Sequence, residues 1–192
     1  LAESGIEIQH EATIHRFRDA GASGDGTRDR YDPGLVRSLV ATAPASFTQH
    51  ARNPARSVQV GGSATVFAPA YGSPFVRDLD GGRRYASLVD FENFVKLTYL
   101  QPNLHHSGGT VCEPVDLPVN KRHFDMVAAH LRFSDKPFMG SVTAGERAQD
   151  PVDMAKIVFG EEFVANNVCL YAVSNSNAPL VWDSAMTGAR KV

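Results

Sequence analysis

The sequence predicts an α/β protein built as a parallel (β/α)₈ TIM barrel, of which this chain supplies about four strand–helix units. Three observations lead there. Strand-like apolar runs at residues 65–68, 103–111, 136–142 and 167–173 recur every ~30 to 40 residues, the spacing expected of a barrel of ~250 residues. Helical patterns alternate with those runs. No Gly-x-Gly-x-x-Gly stands between a strand and a helix, which leaves the main alternative, a doubly wound open sheet, without dinucleotide-binding support.

The elements follow in order. A helix over residues 10–20 opens the chain, with Ile14 and Phe17 as its apolar stripe, and Gly21 stops it before the glycine-rich run at 23–29. In the second helix Asp32 stands at the N-cap and Pro33 at the first helical position. Leu35, Val36, Leu39 and Val40 share one face before Pro44 ends it. Short extended pieces follow, punctuated by Asn53-Pro54 and Gly61-Gly62. Residues 1–62 therefore read as a helical and extended N-terminal segment, and residues 63–192 as the first half of the barrel.

Within that half, the strand at 65–68 leads into a loop over 69–85 and then a helix beginning at Ser87. Ser87 and Asp90 have capping-box spacing, and Phe91, Phe94, Val95 and Thr98 follow helical periodicity. Residues 118–133 read as the next helix, with Phe124, Val127, Ala128 and Leu131 as its buried stripe. Asp150-Pro151 starts another, which Gly160 ends or breaks, and Trp182-Asp183-Ser184 opens a fourth. The chain starts at Leu1 rather than Met and stops in that unfinished helix, so it reads as an excerpt.

Composition narrows the function. Among 192 residues, 19 Lys and Arg face 21 Asp and Glu, a net charge of −2 with no basic excess for a phosphate backbone. Nucleic-acid binding is not expected. At 43% hydrophobic and 21% charged the chain has the material for a core. It lacks the ~18-residue apolar run of a membrane span and a basic-then-apolar leader, so a cytoplasmic location is expected. Cys112 and Cys169 form no Cys-x-x-Cys pair and read as buried thiols. His105-His106 point to opposite faces of a strand, and His123 and His130 lie a heptad apart, so no protein-bound zinc is expected.

A barrel places its active site on the loops after each strand. Those loops hold Tyr71 and Phe75, then Ser107 to Thr110 with Glu113 and Asp116, then Ser141 and Thr143 with Glu146, and last Asn175, Asn177 and Trp182. Each residue also has a plain reading: Glu146 as a capping partner, the asparagines as turn formers, Tyr71 and Trp182 as core. Together they make a polar, mostly uncharged rim, whose ring faces gain a role only if the ligand is a cation, since such faces attract quaternary ammonium groups. A barrel isomerase or lyase acting on a phosphorylated substrate, and a non-catalytic binder of methylated amines, remain the rivals.

The chain resembles the trimethylamine methyltransferase family, which includes glycine betaine methyltransferases. The resemblance runs through nearly the whole chain. It is carried by Ala43-Pro44-Ala45-Ser46-Phe47-Thr48 with His50-Ala51-Arg52-Asn53-Pro54, and by Phe67-Ala68-Pro69 with Gly72-Ser73-Pro74-Phe75-Val76-Arg77-Asp78. Further stretches are His105-His106-Ser107-Gly108-Gly109-Thr110, Lys136-Pro137-Phe138-Met139-Gly140-Ser141-Val142-Thr143 and Asn177-Ala178-Pro179-Leu180-Val181-Trp182-Asp183.

The resemblance implies transfer of a methyl group from a tertiary or quaternary amine, trimethylamine or glycine betaine, to the Co(I) of a corrinoid held by a partner protein. On that reading Tyr71, Phe75 and Trp182 enclose the ammonium, while Ser141, Thr143, Asn175 and Asn177 line the rest. Glu113 and Asp116 are further anionic contacts. The pyrrolysine of the family's trimethylamine enzymes falls beyond this sequence. Half a barrel leaves edges unpaired, so self-association is expected, and the excerpt alone is expected to be inactive.

Overall fold

The computed structural model describes residues 1–141, 147–173 and 180–182. It is a mixed α/β structure with several small sheets, and no closed barrel forms among the described residues. The chain opens with β1 (Ile6–Ile8), α1 (Glu11–Asp19), β2 (Ser23–Asp25) and β3 (Arg28–Arg30). The glycine-rich run after α1 is an antiparallel hairpin, β2 against β3. Its register is pinned by Asp29, fully buried, whose Oδ1 accepts from Arg18 Nε at 2.9 Å. A buried carboxylate needs such a partner.

The helix α2 (Pro33–Val40) begins as its capping residue dictates, with Asp32 Oδ1 accepting from Gly34 N and Leu35 N at 2.7 and 3.2 Å. Its apolar face is not buried, since Leu39 and Val40 stay exposed. Next come β4 (Ser46–Gln49) and β5 (Val58–Gly61), an antiparallel pair, then a second hairpin of β6 (Phe75–Asp78) and β7 (Gly82–Tyr85) inside the expected long loop. Asp78 closes that hairpin by accepting from Asp80 N and Gly81 N, an Asx turn.

The capping box at the head of α3 (Leu88–Leu100) forms as its sequence spells it: Ser87 Oγ accepts from Asp90 N, and Asp90 Oδ2 accepts from Ser87 N at 2.8 Å. Phe91, Val95 and Thr98 are buried, whereas Phe94 is partly exposed. The helix α4 (Arg122–Phe133) starts four residues later than Pro118, which instead accepts from Lys121 N and Arg122 N in a turn. Its buried face is His123, Met126, Val127, Ala129 and His130, rotated from the expected stripe, and Phe124 is exposed. The rotation has a physical cause at His130, whose two ring nitrogens bond to Ser107 Oγ and Gly109 O. His123 instead pairs through Nε2 with Asp150, and its Nδ1 has no hydrogen-bond partner among the described residues.

The chain continues through β8 (Phe138–Met139), α5 (Gln149–Phe159), α6 (Glu161–Asn166), β9 (Leu170–Tyr171) and β10 (Val181–Trp182). Gly160, at φ +91°, breaks α5 from α6. Of the expected opening of a fourth helix, Asp183 and Ser184 lie outside the described residues and only Trp182 is described. It lies in β10, parallel to β1 and opposite Ile8, where its ring stacks on Phe17 at 5.8 Å.

Four of the extended segments sit side by side in chain order. His105 N and His106 N donate to Phe67 O, Ser107 N to Pro137 O, and Met139 N to Gly108 O. β8 then pairs in parallel with β9. The partners of 107–108 and 137–139 ascend together, the mark of same-direction neighbours. Residues 65–68 and 103–111 make too few such bonds to be ladder strands. One reason is local: Gly108, at φ +93°, turns the chain out of the extended region.

Two clamps hold this array. Beneath it, the β4 side chain of Gln49 is fully buried, donating from Nε2 to Phe138 O at 2.9 Å and accepting on Oε1 from His106 Nε2 at 3.1 Å. Beside it, Asn53 Nδ2 donates to Asp135 Oδ2 at 3.1 Å, Arg52 Nη2 to Ser134 O at 3.1 Å, and Arg56 pairs with Asp135 at 3.0 Å. Lys136 Nζ donates to Thr98 O and Gln101 O at 2.7 and 2.8 Å, a cation on the carbonyl end of α3. A core of Val76, Ala86, Phe91, Val95, Val111, Cys112, Met126 and Ala129 fills the space between α3, α4 and the segments above them.

Candidate functional site

The bonds from Met139 N to Gly108 O and from Gly140 N to Tyr171 O bring residues 109–110, 139–140 and 172–173 side by side. A cavity of about 90 Å³ opens there, lined among the described residues by Tyr71, Gly109, Thr110, Met139, Gly140, Ala172 and Val173. By liquid volume that is room for roughly three waters, the scale of a group of a few heavy atoms. None of these seven residues is Asp, Glu, Lys, Arg or His. Tyr71 is half exposed, so the cavity communicates with the surface.

Glycine shapes the walls. A Cβ on Gly109 would lie 3.1 Å from Met139 Cβ, and one on Gly140 would lie 3.0 Å from Leu170 Cδ1, so each lets a neighbouring segment come close. A Cβ on Gly108 would stand 2.7 Å from Pro69 Cγ, in a backbone region that L side chains rarely adopt. Thr110 O accepts from Gly72 N at 2.8 Å, which fastens the Tyr71 loop to the opposite wall.

Below the cavity two histidines are locked in defined tautomers. Gly108 N donates to His106 Nδ1 at 2.9 Å, so His106 Nε2 carries the proton and donates to Gln49 Oε1. Gly109 O accepts from His130 Nε2 at 2.8 Å, so His130 Nδ1 accepts from Ser107 Oγ at 2.7 Å. Burial pushes both rings down to about 4, and the nearby His130 adds to the effect at His106, while the Gly109 carbonyl partly opposes it at His130. Both are neutral at physiological pH. His105 points the other way, its Nδ1 accepting from Phe67 N at 3.1 Å.

The residues expected from sequence are scattered more widely than one rim. Tyr71 lines the cavity. Ser141 lies next to lining Gly140, buried, with its Oγ 4.0 Å from Met126 Sδ. The Phe75 ring stacks on Tyr85 at 4.6 Å and carries the Arg83 guanidinium 3.6 Å above its centroid, an occupied cation–π face. Trp182 is held in β10 against Phe17. Glu113 Oε2 is 3.7 Å from Arg122 Nη1, and Asp116 accepts from Leu88 N at 2.9 Å at the head of α3. Neither acid lines the cavity. Thr143, Asn175 and Asn177 lie outside the described residues.

Met139, Gly140, Ala172 and Val173 were not singled out as site residues by sequence reasoning, because in one dimension they are ordinary strand ends. Their only signal was place, within the predicted strands at 136–142 and 167–173. Burial raises the Cys112 thiol to about 12, with Asp90 and Asp116 adding to it, and raises Cys169 as well, so neither is poised as a nucleophile. Among the described residues no three His, Cys, Asp or Glu side chains converge as metal ligands, and no helix is long and apolar enough to cross a membrane.

Fold and site together define an α/β protein with same-direction extended segments and a neutral, tyrosine-edged cavity where they end. The whole chain, residues 1–192, matches the family model described as Trimethylamine methyltransferase (MTTB), and it belongs to that family. It is 44% identical over 190 residues to a glycine betaine methyltransferase of Desulfitobacterium hafniense (strain Y51), covering 98% of this chain and 40% of that protein. It is 26% identical over 169 residues to a proline betaine:corrinoid methyltransferase of Eubacterium limosum, covering 82% of this chain and 34% of that protein. The chain thus spans well under half the length of these relatives.

Proposed function

We propose that the complete protein moves a methyl group from a betaine-type quaternary amine to a corrinoid carried by a partner protein, and that this chain is the first half of its barrel. The observation that carries the reading is the cavity at residues 109–110, 139–140 and 172–173: among the described residues its lining holds no Asp, Glu, Lys, Arg or His, and Tyr71 is part of it. Both named relatives act on betaines, which favours a betaine over trimethylamine.

A methyl on positive nitrogen leaves when a strong nucleophile approaches along the carbon–nitrogen axis. The partner's reduced corrinoid supplies that nucleophile when it is bound. The residues here align the donor, hold its cationic head and exclude water. A neutral site suits these tasks, because a carboxylate at the nitrogen would stabilise the charge that the reaction removes. Thr143, Asn175 and Asn177 are assigned to the remaining rim by their sequence positions after β8 and β9. The half-exposed Tyr71 side of the cavity is where the partner approaches.

The test uses the complete protein with its corrinoid partner, offered glycine betaine, trimethylamine and the uncharged-headed tert-butyl isostere of betaine. Betaine should bind and be demethylated, and the isostere should bind at least about tenfold more weakly, a loss of ~1.4 kcal/mol. Tyr71→Ala should weaken betaine binding several-fold. Equal binding of isostere and betaine, or no methyl transfer from either amine, overturns the proposal.

A further inference from the structure

We infer that His130 is a positioning residue for this cavity: held as its Nε2–H tautomer by Ser107, it fixes the Gly109 carbonyl and through it the Gly109, Thr110 and Tyr71 walls. The reading of the cavity as an amine site says what is positioned. The hydrogen-bond chain itself stands apart from that reading.

The chain of contacts is continuous. Ser107 Oγ donates to His130 Nδ1 at 2.7 Å, and His130 Nε2 donates to Gly109 O at 2.8 Å. The same carbonyl accepts from Val111 N at 2.9 Å, which closes a tight turn centred on Thr110. Both acceptor positions of Gly109 O are then filled, so its direction is set. Thr110 O is left to accept from Gly72 N at 2.8 Å, and Glu113 N donates to Ser73 O at 2.9 Å, so two bonds pin the strap that bears Tyr71. Gly109, Thr110 and Tyr71 are three of the seven residues that line the cavity.

Packing alone does not account for a histidine here. The ring stacks on Phe138 at 5.7 Å and meets the edge of Phe91 at 5.4 Å, an aromatic slot that phenylalanine would fill without desolvating two nitrogens. What a phenylalanine lacks is the donor that holds Gly109 O. His106, next to Ser107, faces Gln49 below the array, so the two histidines have separate tasks.

The experiment uses the complete protein with its corrinoid partner and the variants His130→Asn, His130→Gln, Ser107→Ala and Lys136→Met. Asparagine retains a group near Nδ1 but cannot reach Gly109 O, whereas glutamine places an N–H near Nε2. Lys136→Met loosens the distant end of α3 and serves as the stability control.

In ligand-free protein, His130→Asn should speed amide hydrogen exchange at Gly72 and Val111 by about five- to tenfold, as loss of one hydrogen bond implies, and Ser107→Ala should do so to a smaller extent. His130→Gln should restore near-native exchange. With glycine betaine, His130→Asn should raise KM by a similar factor with kcat little changed, and Lys136→Met should lower Tm without moving either readout. Native exchange at Gly72 in both Ser107→Ala and His130→Asn overturns the inference, as does a His130→Gln variant as impaired as His130→Asn. If wild-type protein fails to demethylate betaine, the functional reading falls while the exchange measurements still decide the role of His130.

Discussion

Gln49 and His106, 57 residues apart, meet through a 3.1 Å hydrogen bond between Oε1 and Nε2 in a fully buried setting. The same amide donates to Phe138 O, so one side chain from the β4–β5 hairpin ties the base of two adjacent segments. Replacing Gln49 with leucine leaves the His106 N–H and that carbonyl without their partner, at a cost of about 2–4 kcal/mol for two buried polar groups. Urea denaturation of the complete protein measures it. A loss under about 1 kcal/mol would show that water or relaxation replaces the clamp.

The paired neutral histidines predict an acid-sensitive fold. In the unfolded chain each ring has its ordinary value of 6.5, whereas burial holds His106 and His130 down to about 4. As pH falls below 6.5 the unfolded state takes up protons first, so stability is full above that pH and is lost towards 4. Each ring accounts for up to roughly 3 kcal/mol across that window. Tm should therefore decline steadily from pH 6.5 to 4.5, and His130→Gln should flatten part of the slope. A Tm that does not change over this range would contradict the buried neutral state.

Two glycines with positive φ should respond differently to alanine. Gly62, at φ +60°, has open space where an added methyl would sit, so Gly62→Ala costs only the left-handed backbone, about 1 kcal/mol. Gly108→Ala adds a collision with Pro69 Cγ at 2.7 Å and should cost at least twice as much. It should also weaken betaine binding, because Pro69 and Gly109 flank the cavity walls. Equal Tm losses in the two variants would show that the Pro69 strap simply moves aside.

Local signals were legible where the chemistry is local. The Asp32-Pro33 start of α2 and the Ser87/Asp90 box of α3 are complete within a few residues, and both formed as spelled. The α4 stripe was not legible, because a histidine counts as polar in a periodicity until Ser107 and Gly109 are seen to bond both nitrogens of His130 and Asp150 to bond one of His123. The Arg52-Asn53 stretch could be recognised as a family signature, yet only the structure shows it gripping Asp135 and Ser134.

By itself the sequence determined the family and the alternation of helices with extended runs, and it singled out Tyr71. Each depends on residue type and spacing along the chain. The tertiary structure alone decided that Phe75 is spent on Arg83 and Trp182 on Phe17, and that Met139, Gly140, Ala172 and Val173 face one cavity. The physical reason is that cation–π faces, strand partners and buried donors are assigned between segments dozens of residues apart, and one-dimensional spacing carries no record of which pairs meet.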